Sequence, residues 1–297
     1  MTKLLDKCNL CPRNCNVNRN KGELGFCKAG NKIKIARYSL HMWEEPCISG
    51  EQGSGTIFFS NCNLKCIYCQ NYFISTLNNG DEYTIEEFAD ICLELQSRGA
   101  NNINLVTPTL YVPQIINGIK KAKKNGLTIP IIYNTSSYEN VETIKLLKGI
   151  IDVYLPDLKY IDNDISKKYS GIDNYFEIAT KAIQEMYNQQ PKCAFDKNGI
   201  IKKGVIVRHL LLPNMEEDSK RILKYLYDTY KDNIFISIMN QYTPIRKLKY
   251  NELNKKIEEK KYNEIIDYAW NIGIRNAFTQ EEGTQSESFI PDFKKKN

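Results

Sequence analysis

Histidine and tryptophan are scarce, with two of each among 297 residues. His41 and His209 give mixed Cys/His metal sites little material, and a lone histidine more often packs or hydrogen-bonds than ligates. No run approaches the roughly 18 apolar residues of a membrane span, so none is expected. The opening MTKLLDKCNLCPRNC has no long apolar stretch and no small-residue cleavage site. No signal peptide is expected, and the default location is cytoplasmic. There is no internal repeat and no low-complexity segment. An arginine-rich or aromatic-interleaved basic stripe is missing, which leaves no strong nucleic-acid signal. The net charge of +6, which includes Lys294, Lys295 and Lys296, reads as a solvated lysine-rich surface.

Cysteine is plentiful instead. Of ten, eight fall at positions 8, 11, 15, 27, 47, 62, 66 and 69, with stragglers at 92 and 193. Nothing points to an oxidising compartment, so clustered thiols read as metal ligands rather than a disulfide scaffold. Cys92 sits on an apolar helical face and reads as core. Cys193 follows Pro191 in a loop and has no evident partner.

Residues 1–54 are cysteine-rich without clear periodicity, and read as an extension that binds metal. Residues 55–297 read as the main domain, with a helical segment near its C-terminal end. Gly53-Ser54-Gly55 punctuates the two. Apolar, β-branched runs at 55–60, 102–107, 130–135, 151–155, 205–210 and 234–239 are strand candidates. Helical patterns separate them. Thr84 and Glu87 form a capping box ahead of Phe88, Ile91 and Leu95, and Gly99 supplies the stop. Pro113 opens a second helix. Further helices are marked by Val141, Ile144 and Leu147, by residues 172–187, by Ile222, Leu223 and Leu226, and by Ile265 and Ile266. Six β–α units in succession predict a parallel α/β fold, either a doubly wound sheet or an open six-unit barrel.

The loop after the first candidate strand carries Cys62, Cys66 and Cys69, spaced C-x3-C-x2-C. Three thiolates in one loop can hold three corners of a [4Fe–4S] cubane and leave one iron open. An open metal position marks a catalytic site. Structural zinc would need a fourth protein ligand, and outside the N-terminal group only Cys47 is within easy sequence reach.

This arrangement, with Tyr68 before the third cysteine, resembles the radical SAM superfamily. The resemblance implies a partial (β/α)6 barrel, with the cysteine-rich N-terminal extension appended. It implies a [4Fe–4S] cluster on Cys62, Cys66 and Cys69 that reductively cleaves S-adenosyl-L-methionine. Methionine and a hydrogen-abstracting 5′-deoxyadenosyl radical would result, driven by a reducing partner such as flavodoxin or ferredoxin. Leu155-Pro156-Asp157-Leu158-Lys159, Val207-Arg208-His209 and the passage from Gly53 to Asn71 resemble, more narrowly, the pyruvate formate-lyase activating enzyme-like group. That likeness implies an oxidoreductase activating a glycyl-radical protein. The alternatives are radical modification of a small molecule, peptide or RNA, or a non-catalytic metal-binding nucleic-acid module.

Several residues follow as cofactor contacts. Asp157 and Lys159 share one face of a strand end. Lys159 and Arg208 suit the methionyl carboxylate, and Asp157 can pair with Lys159 or accept from the cofactor's amino group or ribose. Many family members carry Gly-Gly-Glu after the second strand. Here Thr107-Pro108-Thr109 stands there, so the hydroxyls of Thr107 and Thr109 replace a carboxylate. Asn134 and Thr135 are further candidates for ribose or amino contacts. Next to Arg208, His209 should point the opposite way, into the core. Gln241, Tyr242 and residues 276–280 are expected near the open side of the barrel. At the N-terminus, Cys8, Cys11, Cys15 and Cys27 form a four-ligand set that suits structural zinc or a second iron–sulfur cluster.

Overall fold

A computed structural model describes residues 2–280, 291 and 293. The lysines at 294–296 lie outside the described residues. Ten strands are present: β1 Ile33–His41, β2 Ser54–Phe59, β3 Asp81–Tyr83, β4 Ile103–Val106, β5 Ile131–Thr135, β6 Val153–Pro156, β7 Ala194–Phe195, β8 Ile201–Leu210, β9 Phe235–Met239 and β10 Ala277–Thr279. They form one sheet in the order β10-β9-β8-β6-β5-β4-β2-β1-β3, with β7 against β8. The six expected strands are β2, β4, β5, β6, β8 and β9, which pair in parallel. The sheet does not close, so the fold is a partial barrel. Among the described residues no helix is long and apolar enough to cross a membrane.

The helices fall where the sequence pattern places them. Thr84 and Glu87 complete the capping box of the helix Ile85–Ser97, and Pro113 lies in the first turn of Val112–Lys124. The helices Tyr175–Gln189, Glu216–Tyr230 and Glu259–Asn271 cover later crossovers. Four strands are additions: β1, β3, β7 and β10. β1 runs antiparallel to β2, and the expected boundary after residue 54 falls at the first residue of β2. The signal for β1 was the alternation of Lys32, Ile33, Lys34 and Ile35, whose isoleucines are both buried.

Side chains alternate across each strand, and this sets up the site. On one face, Tyr133, Tyr154, Val205 and Val207 join the large core beneath the helices. On the other, Ile132, Val153, Leu155 and Ile206 pack with Cys47 and Ile48, which lie on the short turn Pro46–Ser49. Asn101 and Asn102 amides donate to the carbonyls of Ser49 and Ile48 at 2.7 and 2.8 Å. The turn thus plugs the inner face near the strand starts. Two residues further along the same face come Asn134, Asp157 and Arg208, at the C-terminal ends where a barrel places reactive groups. His209 faces away as expected, bonded to Leu158 O and Ser219 Oγ at 2.8 Å each.

Gly55 lets β2 approach its neighbours. A Cβ there would lie 2.8 Å from the Asn102 carbonyl oxygen and 3.0 Å from Ala100 Cβ. Gly55→Ala should destabilise the protein by about 1–3 kcal/mol, read as a lowered urea midpoint with an unchanged slope.

Candidate active site

β2 ends at Phe59 and the chain turns into the cysteine loop through Asn61 and Lys65, at φ +73° and +55°. Asn61 is tied down by its N–H to the Ile74 carbonyl, 2.8 Å, and by its amide to Tyr111 OH, 3.2 Å. Each loop sulfur has its own donor. Leu64 N–H reaches Cys62 Sγ at 3.3 Å, Ser170 Oγ reaches Cys66 Sγ at 3.0 Å, and Ser75 Oγ reaches Cys69 Sγ at 3.4 Å. Burial pushes the Cys62 thiol up to about 12 and raises Cys69 as well. Metal binding, rather than the protein field alone, must therefore displace their protons.

All three cysteines line one cavity of about 300 Å³ with the strand ends. Among the described residues no three Cys, His, Asp or Glu side chains are grouped to hold a single ion. The loop thiols ring a space instead, with hydrogen-bond donors already set on the sulfurs. That donor set fits an iron–sulfur cluster, whose thiolates accept such bonds.

Tyr68 seals one wall. Its ring meets Tyr160, Tyr169 and Tyr242 edge-on, and its hydroxyl accepts from Tyr160 at 2.6 Å. Tyr160 and Ser170 hydroxyls share a 2.8 Å hydrogen bond, so the chain of contacts reaches Cys66. Lys159 Nζ lies 2.6 Å from Asp157 Oδ2, and both line the cavity. Burial pulls the lysine down, yet Asp157 and the nearby sulfurs outweigh it and hold Lys159 above its ordinary value. Thr107 lines the cavity at φ +60°, a strained position for a β-branched residue where glycine would sit freely. Asn134, Gln241 and Gln280 are among its other polar lining residues.

Two expectations change. Arg208 lines the cavity, but its Nε donates to Glu45 at 2.8 Å and its Nη2 to both Glu44 and Glu45. Its fork is already filled by carboxylates from the N-terminal segment, so it is a poor anchor for a ligand carboxylate. Burial raises the Glu45 carboxyl, but Arg208 more than offsets this and holds it below its ordinary value. Glu44 also accepts from Asn104 at 2.8 Å. Sequence spacing did not single out Glu44 and Glu45, which meet an arginine more than 160 positions away.

The second correction concerns Thr109, which does not face the cavity. Its hydroxyl donates to buried Glu139 at 2.6 Å, as do Thr135 at 2.6 Å and Tyr133 at 3.1 Å. A carboxylate does stand behind the second strand, but it comes from the loop after β5. Burial pushes Glu139 up to about 7 against these three donors. Elsewhere, Cys92 is fully buried core, Cys47 belongs to the inner plug, and Tyr242 is buried behind Tyr68.

Two outcomes follow. Arg208→Met leaves two buried carboxylates uncompensated and should cost about 3–5 kcal/mol, measured by urea unfolding at pH 7. Glu139 binds its proton more tightly folded than unfolded. Its contribution is therefore full below the unfolded carboxylate range and is lost as pH rises through about 7. Relative to Glu139→Gln, the native chain should lose roughly 3 kcal/mol between pH 5 and 8, read from urea midpoints across that range.

Comparison with known proteins places this site in context. The radical SAM superfamily model matches residues 56–226. An uncharacterized protein of Methanocaldococcus jannaschii is 31% identical over 282 residues, 90% of this chain and 75% of its own. Pyruvate formate-lyase-activating enzymes of Staphylococcus epidermidis and Clostridium pasteurianum are 24% and 27% identical, each over 57% of this chain. Those matches span 65% and 66% of the two enzymes. Among solved structures, Streptococcus suis SuiB bound to S-adenosylmethionine shares the fold at a TM-score of 0.50 and 15% identity, over 78% of this chain and 50% of that one. By its family match and its extended likeness to the archaeal relative, the chain belongs to the radical SAM superfamily, enzymes that use a [4Fe–4S] cluster and S-adenosylmethionine.

Proposed function

We propose that Cys62, Cys66 and Cys69 hold three irons of the [4Fe–4S] cluster and that the adjoining cavity holds S-adenosylmethionine against the fourth. The observation that carries this reading is the set of three sulfurs, each with its own donor, on the wall of the cavity that collects the strand ends. When bound, the cluster supplies the electron that splits S-adenosylmethionine into methionine and a 5′-deoxyadenosyl radical, which abstracts hydrogen from the substrate.

The protein's part is to bind and to exclude water. Lys159, steadied by Asp157, offers the ammonium for the methionyl carboxylate. Glu44 and Glu45 place two carboxylates beside one guanidinium, a local excess of negative charge suited to the cofactor's cationic end. Thr107 and Asn134 offer polar atoms for its ribose or amino group. Phe58, Val106, Leu210 and Met239 supply apolar walls that keep solvent from a radical.

For the substrate, we infer a glycine of a partner protein, which makes the chain a glycyl-radical activating enzyme. The likeness to two pyruvate formate-lyase-activating enzymes supports this, and so does the unclosed sheet, whose lateral opening can admit a polypeptide loop. Anaerobic incubation with reductant, S-adenosylmethionine and each glycyl-radical protein of the source organism should give 5′-deoxyadenosine and a glycyl-radical resonance. Cys66→Ala should abolish both and lose about four irons. Formation of 5′-deoxyadenosine with no glycyl radical on any candidate would sink the activase reading and favour a small molecule, peptide or RNA.

A further inference from the structure

The four N-terminal cysteines lie outside the machinery described so far. Cys8 N–H donates to the Val17 carbonyl and Asn16 N–H to the Cys8 carbonyl, each at 2.9 Å, so residues 8–17 fold back as a closed loop. Asn14 and Asn16 make its bends at φ +44° and +56°. Cys8, Cys11, Cys15 and Cys27 all line one small cavity. Gly25 presses against it, and a Cβ there would sit 2.8 Å from both Cys15 Cβ and Sγ.

The surroundings are those of a negatively charged group. Phe26 N–H points at Cys15 Sγ from 3.4 Å and Arg19 Nη1 at Cys8 Sγ from 3.9 Å. Arg19 is only 2% exposed. It donates to the carbonyls of Gly30 and Leu110, but among the described residues no carboxylate pairs with it. A buried guanidinium is costly without a counter-charge, and the sulfur it faces is that of Cys8. Mononuclear zinc would draw four sulfurs to about 2.3 Å from one point. Here, as at the loop, no three ligands are grouped for a single ion among the described residues, while all four cysteines line the same small cavity.

The site has an outer and an inner side. Cys8 and Cys15 are half-buried, whereas Cys11 and Cys27 are buried. On the inner side, Asn63 Oδ1 lies 3.9 Å from Cys62 Sγ. Arg13 Nε also donates to the Asn63 carbonyl at 2.9 Å. Arg13 lines the N-terminal cysteine cavity, so Asn63 stands between the two sets of cysteines.

We infer that Cys8, Cys11, Cys15 and Cys27 hold a second [4Fe–4S] cluster, fully thiolate-ligated, that relays electrons through Asn63 to the loop cluster. A one-electron carrier of the flavodoxin or ferredoxin class reduces the N-terminal cluster by one electron. That electron passes to the loop cluster, and the N-terminal cluster returns to its oxidised state. With four thiolates it has no open iron, so it transfers electrons and does not bind S-adenosylmethionine. The acceptor in this relay rests on the function proposed above, whereas the ligand set does not.

The test uses the full chain after anaerobic reconstitution with iron and sulfide. The native protein should bind about eight irons and the variant Cys62→Ala/Cys66→Ala/Cys69→Ala about four, a loss of half. That variant should stay brown, with a reduced-state resonance that S-adenosylmethionine does not alter. The variant Cys8→Ser/Cys15→Ser should also lose half its iron and keep a resonance that S-adenosylmethionine does alter. Stopped-flow reduction of its remaining cluster by flavodoxin should be slower than in the native protein, while reduction by dithionite is not. One zinc and no iron in the triple variant, or no metal at all with native circular dichroism, overturns the second cluster. An unchanged flavodoxin rate overturns the relay. If the triple variant keeps its iron but the resonance of the double variant ignores S-adenosylmethionine, the loop reading fails and the N-terminal cluster stands.

Discussion

The ion triad of Arg208 with Glu44 and Glu45 holds the molecule's two halves in register. It fastens the segment after β1 to the C-terminal end of β8. The next residues, Cys47 and Ile48, plug the inner face of the sheet. The same triad forms part of the cavity wall and sets its charge. Buried ion pairs add little net stability over an apolar replacement, but removal of one partner strands a charge. Such a contact is better at fixing an arrangement than at strengthening a fold.

Thiol protonation governs how the two cysteine sets are filled. Burial raises Cys11 and Cys62 to about 12, so without metal these are neutral thiols. In the proposed filling of both sets, iron takes the place of those protons, and the negative charge of the thiolates meets Arg19, Lys159 and the hydrogen-bond donors. The donors around each sulfur are in place beforehand, a feature of preorganised sites. Membership of an enzyme superfamily also sets aside a non-catalytic nucleic-acid module, for which the sequence offered no basic stripe.

Much of the barrel was legible because parallel strands buried on both faces must be apolar throughout, and runs such as GTIFFS and PIIYNT carry that mark without tertiary help. β1 was harder to see, since an irregularity between Ile35 and Arg37 breaks its alternation and cysteines on either side drew the reading toward a separate metal-binding element. β7 and β10 are too short to carry a period. Thr109 was misplaced because a hydroxyl at a strand end can face either way, and the partner that decides, Glu139, comes from another loop. Arg208 was placed correctly at the cavity but given the wrong counter-ion, because its carboxylates arrive from the far end of the chain.

The sequence by itself determined the three-cysteine loop, the order of the β–α units and the shared face of Asp157 and Lys159. Each depends on spacing within a few residues, which local backbone geometry converts directly into position. Only the tertiary structure decided which carboxylates neutralise Arg208, which hydroxyls surround Glu139, and that Asn63 lies between Arg13 and Cys62. Those are meetings of residues from separate elements, set by how the sheet curls and how the N-terminal segment folds back onto it.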